Sequence, residues 1–149
     1  MPESEALTMA AKILSRRMMS HSMLRARMLR KGFDEAQTQE ALDFLVCQGY
    51  LDDQAFADAY VRDQKNLRHK GPLRIRNELK GHGVDPDQVE KALATNYPEA
   101  EQLEQAHILV RKWTEARKKT EAEKLMARLY RKGFPPAMAR TVVERVCGE

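Results

Sequence analysis

The sequence predicts an all-α protein built from three tandem three-helix repeats of helix-turn-helix type, stacked as an elongated, curved array. Three observations predict it. The first is an internal register: Leu29-Arg30-Lys31-Gly32-Phe33 recurs as Lys80-Gly81-His82-Gly83-Val84 and again as Tyr130-Arg131-Lys132-Gly133-Phe134, a period of about fifty residues. Apolar positions coincide around the three glycines. Leu24, Ile75 and Leu125 lie eight residues before them, and Met28, Leu79 and Leu129 four before. After them come the pairs Ala41-Leu42, Ala92-Leu93 and Val142-Val143. The second observation is composition: only 7 Gly and 6 Pro in 149 residues, with 32% charged and 42% hydrophobic, favours helices joined by short turns. The third is punctuation. Each glycine stands where a helix ends in the left-handed region, and acids or prolines follow where the next helix starts.

Taken in order, each repeat reads as a long, a short and a third helix. The long ones are expected over 5–19, 53–67 and 99–118, the short ones over 21–31, 72–82 and 120–132, and the third over 34–48, 86–96 and 135–146. Ser20, Asp34 and Asp85 are natural N-caps, since a short side-chain oxygen can accept from the free N–H groups of a helix's first turn. Asp52 or Asp53 serves the fourth helix in the same way, and Pro135-Pro136 starts the ninth. In that fourth helix Phe56, Ala57, Tyr60 and Val61 fall on one stripe of a 3.6-residue repeat and are expected to be packed, together with Ile75 and Leu79 of the next helix. The domain boundaries that follow are 1–52, 53–98 and 99–149. A fifty-residue unit is marginal alone, so neighbouring repeats should lean on one another.

Charge follows the repeat. The segment 21–32 carries Arg25, Arg27, Arg30 and Lys31 and no acid, whereas 33–53 carries six acids and no Lys or Arg. By register Arg25 matches Arg76, Arg27 matches Arg128, Arg30 matches Arg131 and Lys31 matches Lys132. With Arg74 and Lys80 these residues form a candidate basic stripe on the second helix of each repeat, suited to a polyanion or an acidic protein surface. For any one of them the plainer reading is a solvated helix face with local ion pairs, such as Arg74 with Glu78. A further cluster comprises Arg111, Lys112, Arg117, Lys118 and Lys119 around Trp113, a ring expected in the core rather than as a stacking platform.

Catalytic, metal and cofactor chemistry finds no support. Asp52 and Asp53 are explained by capping, the four histidines lack ligand spacing, and no phosphate-binding glycine loop is present. Cys47 and Cys147 have no partner at redox or metal spacing; both are expected to be small buried residues of a reduced, cytoplasmic protein. No long apolar run or secretory leader is visible, so no membrane association is expected.

One stretch, 49–84, resembles a known family. Gly49-Tyr50-Leu51-Asp52-Asp53, Phe56-Ala57, Tyr60-Val61-Arg62, Gly71-Pro72, Arg74-Ile75-Arg76, Glu78-Leu79 and Gly83-Val84 resemble, in order and spacing, the RecX family of bacterial recombinase regulators. Gln54 and Ala55 stand where an acid and Arg are common, and His69 where Gly is common. The flanks match more loosely, so the resemblance extends over nearly the whole chain with its strength in the middle third. It implies a monomeric, non-enzymatic regulator without cofactors, whose partners are the RecA recombinase and its nucleoprotein filament, with single- or double-stranded DNA as further partners. It also implies that ATPase, coprotease and strand-exchange activities of RecA are restrained. The resemblance supplies no residue-level site, so the ten basic residues above stand on charge and register alone. A helical DNA-binding protein with a basic face and no recombinase partner is the alternative reading, although the acidic or mixed third helices are ill suited to a phosphate-lined groove.

Overall fold

The structure, a computed structural model, describes residues 4–116 and 121–148. Among the described residues there are nine α-helices and no strand: α1 Glu5–Arg16, α2 His21–Arg30, α3 Glu35–Cys47, α4 Asp53–Arg68, α5 Pro72–Gly81, α6 Pro86–Asn96, α7 Glu99–Ala116, α8 Ala122–Lys132 and α9 Pro136–Cys147. Helix α1 stops three residues before its expected end. Arg17 is extended there, at φ −163 and ψ 153. The extended segment buries Met19 in the core and leaves Ser20 in the β-region conformation that an N-cap requires. The expected end of α7 and start of α8, with Arg117, Lys118 and Lys119, lie outside the described residues.

The repeat register is reproduced in the packing. Leu24, Ile75 and Leu125 are 0%, 0% and 1% exposed, and Met28, Leu79 and Leu129 are all fully buried. So are the pairs that follow each glycine, Ala41-Leu42, Ala92-Leu93 and Val142-Val143. Gly32, Gly83 and Gly133 have φ of 101°, 78° and 107°. Behind them the N–H groups of Phe33, Val84 and Phe134 donate to the carbonyls of Met28, Leu79 and Leu129 at 3.3, 3.2 and 3.1 Å. This is one helix stop, the 6→1 bond of a Schellman turn, used three times.

The expected caps form as well. Asp34 makes a full capping box with Gln37, Asp85 Oδ1 accepts from Asp87 N, and Asp52 Oδ1 accepts from Ala55 N. Asp53 does something different: its carboxylate accepts from His21 N at 2.7 Å and so caps α2 rather than its own helix.

The chain divides into two compact units, residues 1–57 with 79–89 and residues 58–78 with 90–149, and the division crosses α4, α5 and α6. In the first unit α1, α2 and α3 enclose a core of Ala10, Ile13, Leu24, Met28, Leu42 and Leu45, among others. Ser20 Oγ accepts from Met23 N and donates to the His82 carbonyl at 2.5 Å, tying the start of α2 to the end of α5. In the second unit α7, α8 and α9 enclose Val110, Leu125, Leu129, Phe134, Val142 and Val143, with Trp113 packed at the edge. There Gly71 N donates to the Lys132 carbonyl at 2.8 Å, and Leu73 N to the Gly133 carbonyl at 2.9 Å, tying the start of α5 to the end of α8. Ser20 and Gly71 occupy the same register position, as do His82 and Lys132. The same junction is therefore made twice, once by a side-chain hydroxyl and once by backbone alone.

Three expectations are corrected. Cys47 and Cys147 are exposed free thiols, not core residues. Cys47 follows the buried Leu45 by two residues, about 200° around the helix, and so faces away from the core. Tyr60 is only half-buried, unlike Phe56, Ala57 and Val61 of its stripe, because its hydroxyl donates to Glu78 Oε1 at 2.7 Å.

His69, at φ 55°, is the only non-glycine residue at positive φ among the described residues. The left-handed region costs a residue with a Cβ about 1 kcal/mol relative to Gly. Its ring contact, Nδ1 to Gln105 Oε1 at 3.4 Å, is too long to return much of that. His69→Gly is therefore expected to raise stability by about 1 kcal/mol, seen as a higher denaturant midpoint at unchanged m-value.

Candidate functional site

The ten basic residues singled out by charge and register fall into two groups, one in each unit. Arg25, Arg27, Arg30, Lys31 and Lys80 belong to the first; Arg74, Arg76, Arg128, Arg131 and Lys132 belong to the second.

In the first unit Arg25 is occupied, its guanidinium paired with Glu35 of α3. The others are not. Arg27 and Arg30 line a hollow of about 370 Å³ together with Arg17, Ser22, Met23, Ala26 and the Gly81-His82-Gly83 turn. A second hollow of about 280 Å³ is lined by Lys12, Arg16, Arg17, Arg27 and Lys31 with Met9 and Ile13. Arg17 and Arg27 line both, and neither contains an acid. Among the described residues none of these six cations has an ion-pair partner. The local cause is plain. Helix α2 has no acid to make an i,i+4 pair, and α1 ends in two adjacent arginines, favoured at a helix C-terminus by its negative dipole end. Lys12, Arg16 and Arg17 escaped the sequence reading. Arg17 was within its reach, because it recurs in register as Arg68 and Lys118.

The second unit is more nearly neutralised. Glu78 gathers Lys70 at 2.9 Å, Arg74 at 3.3 Å and the Tyr60 hydroxyl. Burial raises the Glu78 pKa, but the hydrogen bonds from Lys70, Tyr60 and Arg74 outweigh it and hold the carboxyl below its ordinary range. Arg76 holds Glu90 with two hydrogen bonds of 2.7 and 3.0 Å, and Arg128 lies 4.2 Å over the ring of Trp113. Lys132 donates to the Arg68 carbonyl at 2.8 Å. Burial first, and then the charges of Arg74, Lys70 and Arg128, push its pKa down. Arg131 is exposed and has no partner among the described residues.

A groove of about 440 Å³ in this unit is lined by Leu73, Arg74, Asn77, Glu78, Tyr130, Arg131 and Gly133. By register it is the counterpart of the 370 Å³ hollow of the first unit. Ser22, Met23, Ala26 and Arg27 stand where Leu73, Arg74, Asn77 and Glu78 do, and Gly81 and Gly83 where Arg131 and Gly133 do. Each unit thus carries a groove at its repeat junction, the first with arginines and no acid, the second with Tyr130 and both signs of charge. No group of three or more His, Cys, Asp or Glu that could hold a metal ion occurs among the described residues, and no helix there is long and apolar enough to cross a membrane.

Comparison with known proteins places this architecture. Residues 6–45 match the family model for the first three-helix domain of RecX, and residues 52–93 the one for its second. The regulatory protein RecX of Geobacillus kaustophilus is 36% identical over 143 residues, covering 93% of this chain and 53% of that protein. RecX of Thermus thermophilus is 36% identical over 136 residues, covering 91% of this chain and 88% of its own length. Against the Geobacillus and Leuconostoc relatives the chain spans about half the length of the protein it matches. The crystal structure of RecX from Lactobacillus salivarius superposes with a TM-score of 0.88 at 22% identity over 97% of this chain and 96% of that one, a likeness of fold. A second crystal structure of a regulatory protein RecX gives 0.81 at 29% identity, covering 97% and 71%. Matched by both domain models and aligned with the Thermus protein along most of its length, the chain belongs to the RecX family of regulatory proteins.

Proposed function

We propose that this chain binds the RecA recombinase and its filament on single-stranded DNA and restrains the ATPase, coprotease and strand-exchange activities of that filament. Family membership supports the recombinase as partner. The structural observation that carries the reading is the acid-free surface of Lys12, Arg16, Arg17, Arg27, Arg30 and Lys31, whose charges are available to an external polyanion. Of the residues assigned by register, Arg27, Arg30, Lys31 and Arg131 are the foremost contacts, because Arg25 and Arg76 already hold carboxylates within the chain. Lys80, Arg74, Arg128 and Lys132 support the same surfaces at the repeat junctions. The repeats 1–52, 53–98 and 99–149 are the units of engagement, and the chain acts as a cytoplasmic monomer without catalysis or cofactor.

The test is ATP hydrolysis by RecA on single-stranded DNA, with and without the protein. Hydrolysis is expected to fall with increasing protein, and DNA strand exchange with it. Unchanged hydrolysis and strand exchange, with tight binding to bare DNA, would instead favour a DNA-binding protein without a recombinase partner.

A further inference from the structure

We infer that the groove between α5 and α8 in the second unit is a single-stranded nucleic-acid site in which Tyr130 stacks on an unpaired base; this deepens the reading above and rests on single-stranded DNA being part of the target. Tyr130 is 58% exposed. Its neighbours on α8, Leu125 and Leu129, supply the buried seam, and the ring stands outside it with no hydrogen-bond partner for its hydroxyl among the described residues. A bare tyrosine proves little alone, since single exposed apolar groups are common. Here it opens on a groove whose other polar groups are also unspent. Asn77 and Arg131 have no partner among the described residues, so a free carboxamide and a free guanidinium flank the ring. Leu73 contributes the apolar component of the lining.

The one acid in the groove, Glu78, does not oppose an anion. It is held by Lys70, Arg74 and Tyr60, so its charge is met within the chain. A flat ring and a planar cation on α8, with a donor-acceptor amide on α5, match a nucleobase and its phosphate: the π-face accepts any base, the guanidinium takes the phosphate, and the amide can meet a base edge. In a duplex the base faces are already stacked, so such a site selects single strands. By register Lys80 and Gly81 stand at the positions of Tyr130 and Arg131, so the counterpart groove of the first unit has no tyrosine there, and its one ring, His82, packs edge-on against Phe56.

The experiment measures binding of wild type, Tyr130→Ala and Tyr130→Phe to a short unstructured DNA strand and to a duplex of the same sequence, by fluorescence anisotropy over a salt series and without recombinase. Tyr130→Ala is expected to weaken single-strand binding by about five- to hundredfold, with Tyr130→Phe close to wild type. Duplex affinity should not change. Neither should the salt slope, because no phosphate contact is lost. Unchanged single-strand binding by Tyr130→Ala overturns the inference, as does an equal loss on both DNAs or an equal loss in Tyr130→Phe. Such an outcome leaves the proposed function standing if wild type still restrains RecA. Conversely, a selective loss on single strands by a protein that does not touch RecA would overturn the function and keep the site.

Discussion

Gly71→Ala is expected to lower the unfolding free energy by about 3 kcal/mol, the upper end for forced overpacking. A Cβ at position 71 would stand 2.3 Å from the Gly133 carbonyl carbon and 2.5 Å from both its oxygen and Phe134 N. All three are backbone atoms, so no side chain can rotate aside. Relief requires the start of α5 to withdraw from the end of α8. That withdrawal breaks the bonds from Gly71 N to Lys132 O and from Leu73 N to Gly133 O, which are the tie between those two helices. Gly81→Ala is the matched control: nothing lies within 4 Å of its Cβ, and Gly in a helix is the costlier residue, so it should be neutral or stabilising by about 0.5 kcal/mol. At the equivalent first junction Ser20→Ala removes a cap and a bond to His82 and should cost about 1 to 2 kcal/mol. Denaturant unfolding gives all three values. A loss below about 1 kcal/mol for Gly71→Ala would show that the junction yields without breaking.

The sequence carried the register of this fold because each repeat repeats its physics. Gly32, Gly83 and Gly133 end helices by the same backbone bond, and the residues eight and four before them are buried in all three copies. Less legible was which cations are spent. Arg25 meets Glu35, and Arg76 meets Glu90, across helix pairs fourteen residues apart or fewer in sequence. Neither pair has i,i+4 spacing, so a reading of charge along single helices leaves both arginines looking free. The reverse holds for Lys12 and Arg16, which lack equivalents of like charge in the second repeat and so drop out of a register argument: Asp63 and Leu67 stand there. Yet folding brings Lys12 and Arg16 beside Arg17 and Arg27. Tyr130 was visible as a repeat position but not as an exposed ring, since exposure depends on what α5 places opposite it.

On the proposed function, replacing Arg17, Arg27, Arg30 and Lys31 together by Ala is expected to weaken binding to the RecA filament by about tenfold or more at physiological salt, and to leave the helical signal intact. Stability should hardly move, because these side chains surround solvent-filled hollows and break no ion pair on removal. Arg25→Ala with Arg76→Ala is the informative contrast. Each of those substitutions breaks an exposed pair worth about 0.2 to 1 kcal/mol and removes no available charge, so stability should fall slightly while binding stays. If the four cations meet phosphates, the slope of log affinity against log salt on free single-stranded DNA should shrink by about 3, from roughly 0.7 per lost contact. If they meet acidic groups on the recombinase, filament binding falls while free-DNA binding and its slope do not, and the remaining salt dependence is ordinary screening. Unchanged affinity for both targets would reduce the surface to solvated charge. The contacts would then have to lie in the second unit, where Arg131 and Tyr130 are among the exposed groups without partners among the described residues.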